Sequence, residues 1–281
     1  MTAPQPPPTP PAPPPAHGLT ADGYFVREGA LTRVAPAFHP VLDAVRRRLP
    51  AAFGDRLHSA YLYGSIPRGT ARPGRSDLDV LIVLRDEPDD TDRAATRALG
   101  TALDTEFAAI DGTGALLYGV DRLLSPAERE DMGWFLACLC TPLLGDDLAA
   151  RLPRYRATSR LARETNGDLA ALLPRWRERI SGAGDTEEAL RPLVRFMSRH
   201  LVRTGFTLVM PRWQGWTSDL GEMAAVFGAY YPERAADLLR AARLGREPVG
   251  DAALLRSYTE DLGPWLAAEY ARVHGVKGAR E

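Results

Sequence analysis

Asp77 and Asp79 stand one residue apart at the opening of DLDVLIVL, a run of leucine and β-branched residues that ends at Leu84. On an extended strand, side chains two apart project from the same face, so both carboxylates face one way and Leu78 the other. Paired carboxylates repel one another and stay ionised mainly when a cation lies between them. A hard ion such as Mg2+ suits carboxylate and phosphate oxygens. Upstream, Gly64 and Ser65 follow the apolar run LHSAYLY. Gly permits a tight turn with backbone close to a ligand, Ser is a favoured helix N-cap, and Pro67 fits the first turn of the helix that follows. A helix start offers unpaired N–H groups on which a triphosphate can rest, and Arg68, Arg72 and Arg75 add positive charge nearby. Beside such a berth, a carboxylate pair can hold two ions about 3.5–4 Å apart, one activating an attacking hydroxyl and one stabilising a leaving pyrophosphate. The plainer reading, a solvated strand entry with Ser76 and Asp77 finishing a turn, leaves the Gly-Ser element and the arginine loop unexplained.

The elements that must position these groups follow from periodicity. Phe38, Val41, Leu42, Val45 and Leu49 recur at helical spacing, with Pro50 and Gly54 expected to end the helix. LHSAYLYG is expected to be a strand, and DLDVLIVL a strand covered on both faces. Asp89 to Ile110 returns to helical period with Asp or Thr as candidate N-caps. GALLYGVDRLLS is expected to be a third strand, followed by a helix capped by Ser125 with Pro126 in its first turn. Residues 36–150 thus predict a compact mixed domain of helices and strands. From about residue 154, four or five segments of three-to-four-residue apolar period separated by Pro and Gly predict a C-terminal bundle. The expected fold class is α+β, divided as a Pro-rich disordered tail over 1–17, a small mixed-sheet domain over 18–150 and a helical acceptor-binding domain over 151–281.

Composition narrows the function. With 35 Lys and Arg against 36 Asp and Glu the net charge is −1, which argues against gripping long nucleic acid through its phosphates. Lys277 is the single lysine, so any phosphate meets planar guanidinium groups. Cys138 and Cys140, flanked by Leu and Ala, read as core residues, since no Cys or His pair stands at metal-ligand spacing. No apolar stretch approaches the roughly 20 residues that span a bilayer and no leader pattern opens the chain. The expectation is a cytoplasmic protein that partners neither membrane nor long nucleic acid.

The string Gly64, Ser65, Arg68, Gly69, then Ser76, Asp77, Asp79 and Val80 to Leu84 resembles the signature of the DNA polymerase beta-like nucleotidyltransferase superfamily, most closely its stand-alone and aminoglycoside-modifying branches. The resemblance implies transfer of a nucleoside monophosphate, with ATP the expected donor, and Mg2+ as cofactor. It implies that Gly64, Ser65, Arg68, Arg75 and Ser76 hold the triphosphate and that Asp77 and Asp79 bind the metal. The family adds a third carboxylate from a later strand of the sheet. Asp121, in the next predicted strand, is the candidate here, with Glu106 and Asp111 as alternatives. The segment from Arg199 to Ala242 resembles the helical domain of aminoglycoside nucleotidyltransferases. Where that domain commonly carries a lysine, this chain has Thr217, Ser218 and Asp219.

In that helical part, Asp185, Glu187, Glu188, Asp219 and Glu222 stand at helix heads, where acids serve the cap and dipole. Trp213, Trp216, Tyr230 and Tyr231 form an aromatic group suited to packing or to stacking on a base or sugar. The leading functional expectation is an Mg2+-dependent enzyme that transfers AMP to a hydroxyl of a small molecule and releases pyrophosphate. The alternatives are transfer to a protein side chain, as in antitoxin-like nucleotidyltransferases, and a non-catalytic nucleotide-binding protein of the same fold.

Overall fold

The structure, a computed structural model, describes residues 12–278. Its contacts divide the chain into two compact units. Residues 26–155 make one; residues 156–278, together with 12–25, make the other.

The first unit is built on a four-stranded sheet. Its elements are α1 (His39–Phe53), β1 (Leu57–Tyr63), α2 (Ser65–Arg68), β2 (Leu78–Leu84), α3 (Asp90–Glu106), β3 (Thr113–Gly119), α4 (Val120–Leu123), α5 (Trp134–Leu139) and β4 (Thr141–Gly145). The strands lie in the order β3, β2, β1, β4. β1 runs antiparallel to both β2 and β4, whereas β2 and β3 are parallel, as a crossover through a helix requires.

Each face of the sheet has its own core, which explains why β2 is apolar at nearly every position. Leu78, Val80, Ile82 and Leu84 pack with Ala60 and Leu62 against the apolar stripe of α1 and Leu103 of α3. Leu81 and Val83 face the other way, with Tyr61, Val120, Leu123, Leu136, Cys140 and Leu148. By alternation Asp79 belongs to this second face. α1 continues through Pro50 to Phe53 and stops at Gly54, so only the second of its two expected stop residues ends it. At the head of α3, Asp89 accepts the Asp92 N–H at 2.8 Å and Asp92 accepts the Asp89 N–H at 2.9 Å. Arg56 then grips the buried Asp92 carboxylate with both guanidinium nitrogens, at 2.7 and 2.8 Å, a bidentate pair that neutralises it.

The second unit contains α6 (Ser159–Asn166), α7 (Leu169–Gly182), α8 (Glu187–Trp213), α9 (Leu220–Tyr230), α10 (Ala235–Leu244), α11 (Ala252–Ser257) and α12 (Gly263–His274). α8, 27 residues long, is its axis and buries Met197, Leu201, Phe206 and Val209 among others. Of the acids at the heads of α8 and α9 only Asp219 is a cap, that of α9; α8 is capped by Thr186. Asp219 accepts the Glu222 N–H at 2.9 Å, and Glu187 and Glu188 lie in the first turn of α8. Trp213 and Trp216 are buried around Phe206, while Tyr231 stacks on Phe227 beside Trp265. Among the described residues no helix is long and apolar enough to cross a membrane.

The Pro-rich segment departs from expectation. Residues 1–11 lie outside the described residues, but residues 12–17, expected to be a disordered tail, are held by the helical unit. The Trp213 Nε1–H donates to the Pro14 carbonyl at 2.7 Å, and the Trp216 N–H donates to the His17 carbonyl at 2.8 Å. Polyproline buries little of itself but leaves its carbonyls free to accept, and the two tryptophans supply the donors. The boundaries shift accordingly. Leu19 bridges Phe25, and Tyr24 bridges Arg156, within the helical unit. Tyr155 is buried in the sheet unit, where its hydroxyl donates to the Arg129 carbonyl at 2.7 Å.

Candidate active site

β1 delivers the chain to Gly64, whose φ of +78° lies in the left-handed region that glycine tolerates and other residues resist. From there α2 makes a single turn, its start unsupported by any side-chain cap. A Cβ placed on Gly64 would overlap the Asp79 carboxylate at Oδ2 and lie 3.1 Å from its Cγ. The backbone that opens α2 is therefore in direct contact with Asp79. One turn carries little macrodipole, since the dipole sums over aligned peptides. What the site offers an anion is the set of backbone N–H groups at the start of α2.

The register explains this meeting. Tyr63, the last residue of β1, pairs with Asp79, the second residue of β2, so the turn at Gly64 opens beside it. Tyr63 is also the aromatic wall of this end of the sheet, its ring edge-on to Phe135 at 5.0 Å. Sequence reading did not single out Tyr63; antiparallel pairing between the two predicted strands was the signal that would have. Asp77 lies just before β2, half-buried like Asp79, and Leu78 between them is fully buried in the helix-side core. Leu78 and Asp79 thus fall on opposite faces of the sheet, as alternation requires.

The loop from Arg72 to Ser76 is a compact turn. Ser76 Oγ accepts the Arg72 N–H at 2.9 Å, and the N–H groups of Arg75 and Ser76 both reach the Arg72 carbonyl at 3.1 Å. Ser76 thereby shapes the turn that carries Asp77, a role distinct from the phosphate contact expected of it. Arg75 is exposed on this turn. Arg68, at the end of α2, pairs with Glu28 at 3.6 Å, so part of its charge is already countered. The turn is tied to the approach of β3: the Asp111 N–H donates to the Ser76 carbonyl at 3.1 Å and the Leu78 N–H to the Gly112 carbonyl at 2.8 Å.

Asp121 is not part of this site. β3 ends at Gly119, and Val120 opens α4, so Asp121 is an exposed residue of a short helix rather than a strand residue. Because β2 and β3 are parallel, Leu78 pairs with Thr113, Asp79 with Gly114 and Leu84 with Gly119. Asp121 follows the far end of β3, and the five residue steps from Asp79 to Leu84 alone span about 16 Å. Its surroundings are the ion pair of Glu87 with Arg122 at 3.4 Å. The position on β3 that shares Asp79's face is Gly114, where a Cβ would lie 3.0 Å from Asp79 Oδ1. β3 brings no carboxylate alongside Asp79, and two glycines, 64 and 114, cradle that carboxylate from either side. Of the alternatives, Glu106 ends α3 in an ion pair with Arg48, and Asp111 precedes β3 at the site's end of the sheet.

Cys138 and Cys140 are buried free thiols. Burial pushes Cys138 up to about 12, against the opposing influence of Arg27, and raises Cys140 well above the ordinary thiol range. They are core residues, as their apolar flanks imply. Among the described residues no group of three or more His, Cys, Asp or Glu is arranged to hold a metal.

Residues 41–109 match the family described as Nucleotidyltransferase domain. The match runs from α1 through α3, so the sheet unit carries the elements of a nucleotidyltransferase domain. A solved structure of spectinomycin adenyltransferase AAD(9) from Enterococcus faecialis, with ATP and spectinomycin, shares this fold with a TM-score of 0.50 and 15% identity, over 83% of this chain and 98% of that one. Comparison with curated proteins gave no match.

Proposed function

We propose that the protein transfers AMP from ATP to a hydroxyl of a small-molecule acceptor, with release of pyrophosphate. The observation that carries this reading is the contact between Gly64 and Asp79: the backbone suited to cradle a triphosphate abuts the carboxylate suited to hold its metal. The spectinomycin adenyltransferase AAD(9) structure, solved with ATP and spectinomycin, supports ATP as donor and a small molecule as acceptor.

The donor set fits magnesium. Mg2+ seldom sits in an all-protein cage; it is held by one or two carboxylates, with substrate phosphates and water completing its octahedron. Asp77 and Asp79 supply that number. When bound, the ion neutralises phosphate charge and lowers the cost of placing the triphosphate beside two acids. The chain's own part is positional. The N–H groups at Gly64 and Ser65 receive phosphate oxygens, the exposed Arg75 adds a guanidinium at the rim, and the Ser76 turn fixes Asp77 relative to Asp79.

The test is pyrophosphate release from ATP, with and without Mg2+, over a panel of hydroxylated small molecules. Acceptor-dependent release that requires Mg2+ and vanishes in Asp77→Ala/Asp79→Ala supports the proposal. Release that persists in the double variant overturns it.

A further inference from the structure

We infer that the C-terminal end of α8 carries a polyproline-recognition site, and that residues 12–18 of the same chain are its tethered ligand. This inference is independent of the nucleotidyl-transfer reading.

Two main-chain carbonyls of the segment are gripped. The Trp213 indole N–H reaches Pro14 at 2.7 Å, and the Trp216 amide reaches His17 at 2.8 Å. Those carbonyls are three positions apart, one turn of a polyproline II helix, so both donors can act on the same side of an extended Pro-rich strand. An indole N–H to a proline carbonyl beside an aromatic platform is the chemistry by which proline-rich ligands are read, because their carbonyls are solvated and their ordering entropy is low.

The receptor side is built for close approach. α8 ends at Trp213, and Gln214 turns the chain with a left-handed φ of +56°, held by its amide donating to the Ala157 carbonyl at 3.1 Å. Phe206 sits edge-on to both tryptophans, at 5.7 and 5.5 Å, fixing their planes. Where the segment leaves, Gly18 has φ of +78°, and a Cβ there would overlap the Trp216 carbonyl oxygen and lie 3.1 Å from its carbon. His17 adds an edge-on ring contact with Trp213 at 5.6 Å and a 2.7 Å contact to Glu222. Pro14 is half-buried while Pro13 and Pro15 are exposed, so Pro14 is the proline that enters the site. The ligand is therefore a proline-rich strand followed by His-Gly. Tethering gives it an effective concentration in the millimolar range, so a free peptide of this sequence competes only when the tethered copy is weakened.

The experiment uses the full chain. In the native protein the Trp213 indole proton should exchange slowly with solvent by NMR. In Pro13→Gly/Pro14→Gly/Pro15→Gly, which keeps the carbonyls but loses the preset φ and the rings, it should exchange about tenfold faster. A synthetic peptide of residues 1–18 at millimolar concentration should restore protection in the variant and leave the native chain unchanged. Unaltered exchange in a folded variant, or no response of that variant to peptide, overturns the inference. Should the triple variant not fold, Trp213→Phe in the otherwise native chain decides: the Trp216 amide exchanges faster if the clamp is cooperative, and the inference falls if it does not.

Discussion

Gly64 and Asp79 touch: the glycine that ends the first strand's turn leaves no room for a side chain between its Cα and the aspartate carboxylate. The first prediction follows from this contact. Gly64→Ala must displace the carboxylate and force a non-glycine residue to φ of +78°, a strain of about 1–3 kcal/mol. The melting temperature should fall modestly. Nucleotidyl transfer should fall further, by about 100-fold, because displacing a positioning group by an ångström is enough for that. Equal, proportionate loss of both properties would show that the contact serves folding alone.

The parallel register of β2 and β3 makes a second, comparative prediction. Asp77→Asn and Asp79→Asn should each lower transfer by roughly 100-fold or more, as loss of several kcal/mol of charge stabilisation implies. Asp121→Asn, an exposed change at the far end of the sheet, should stay within about twofold. Steady-state rates at saturating ATP decide it, and a large loss in Asp121→Asn would contradict the geometry.

That contrast shows what the sequence made legible. Leu78 and Asp79 could be assigned to faces because strand alternation is local, and the helical stripe of α1 could be read because its period is local too. Asp121 was misassigned for a non-local reason. Two strands joined through a helix run parallel, so the start of β2 must meet the start of β3, near Asp111 to Gly114, and never its end. The pattern strand, helix, strand contained that constraint, but choosing a residue by its strand rather than by its end of the strand ignored it. The docking of residues 12–17 was beyond local reading altogether, since its donors, Trp213 and Trp216, are about 200 residues away in sequence.

The thiols give a third prediction. With Cys138 pushed up to about 12 and Cys140 raised well above the ordinary thiol range, both by burial, almost no thiolate exists near neutral pH, and thiolate is the reactive form. A maleimide or iodoacetamide reagent at pH 8 should leave both cysteines unmodified in the folded chain and label both in urea. Rapid labelling of the native protein would show that this core opens.

Acid should weaken the helical unit in two separable stages. His200 lies edge-on to Trp176 at 5.3 Å, its Nε2 sealed from solvent without a hydrogen-bond partner; burial, only partly offset by Asp168, lowers its pKa from 6.5 to about 4. The folded state thus binds fewer protons than the unfolded state between those values, so His200's contribution is complete above pH 6.5 and is lost as pH falls to 4. Glu269 acts lower. Arg272 foremost, and then the Tyr231 hydroxyl, hold its carboxyl down from 4.5 to about 2 against the opposing effect of burial, so its contribution is complete above pH 4.5 and lost as pH falls to 2. Urea unfolding should therefore show stability declining by on the order of 2 kcal/mol between pH 6.5 and 4.5 in the native chain. His200→Gln should flatten that interval while leaving the decline below pH 4.5 in place, and Glu269→Gln should do the reverse. If His200→Gln kept the native slope above pH 4.5, the protonation responsible would lie elsewhere in the chain.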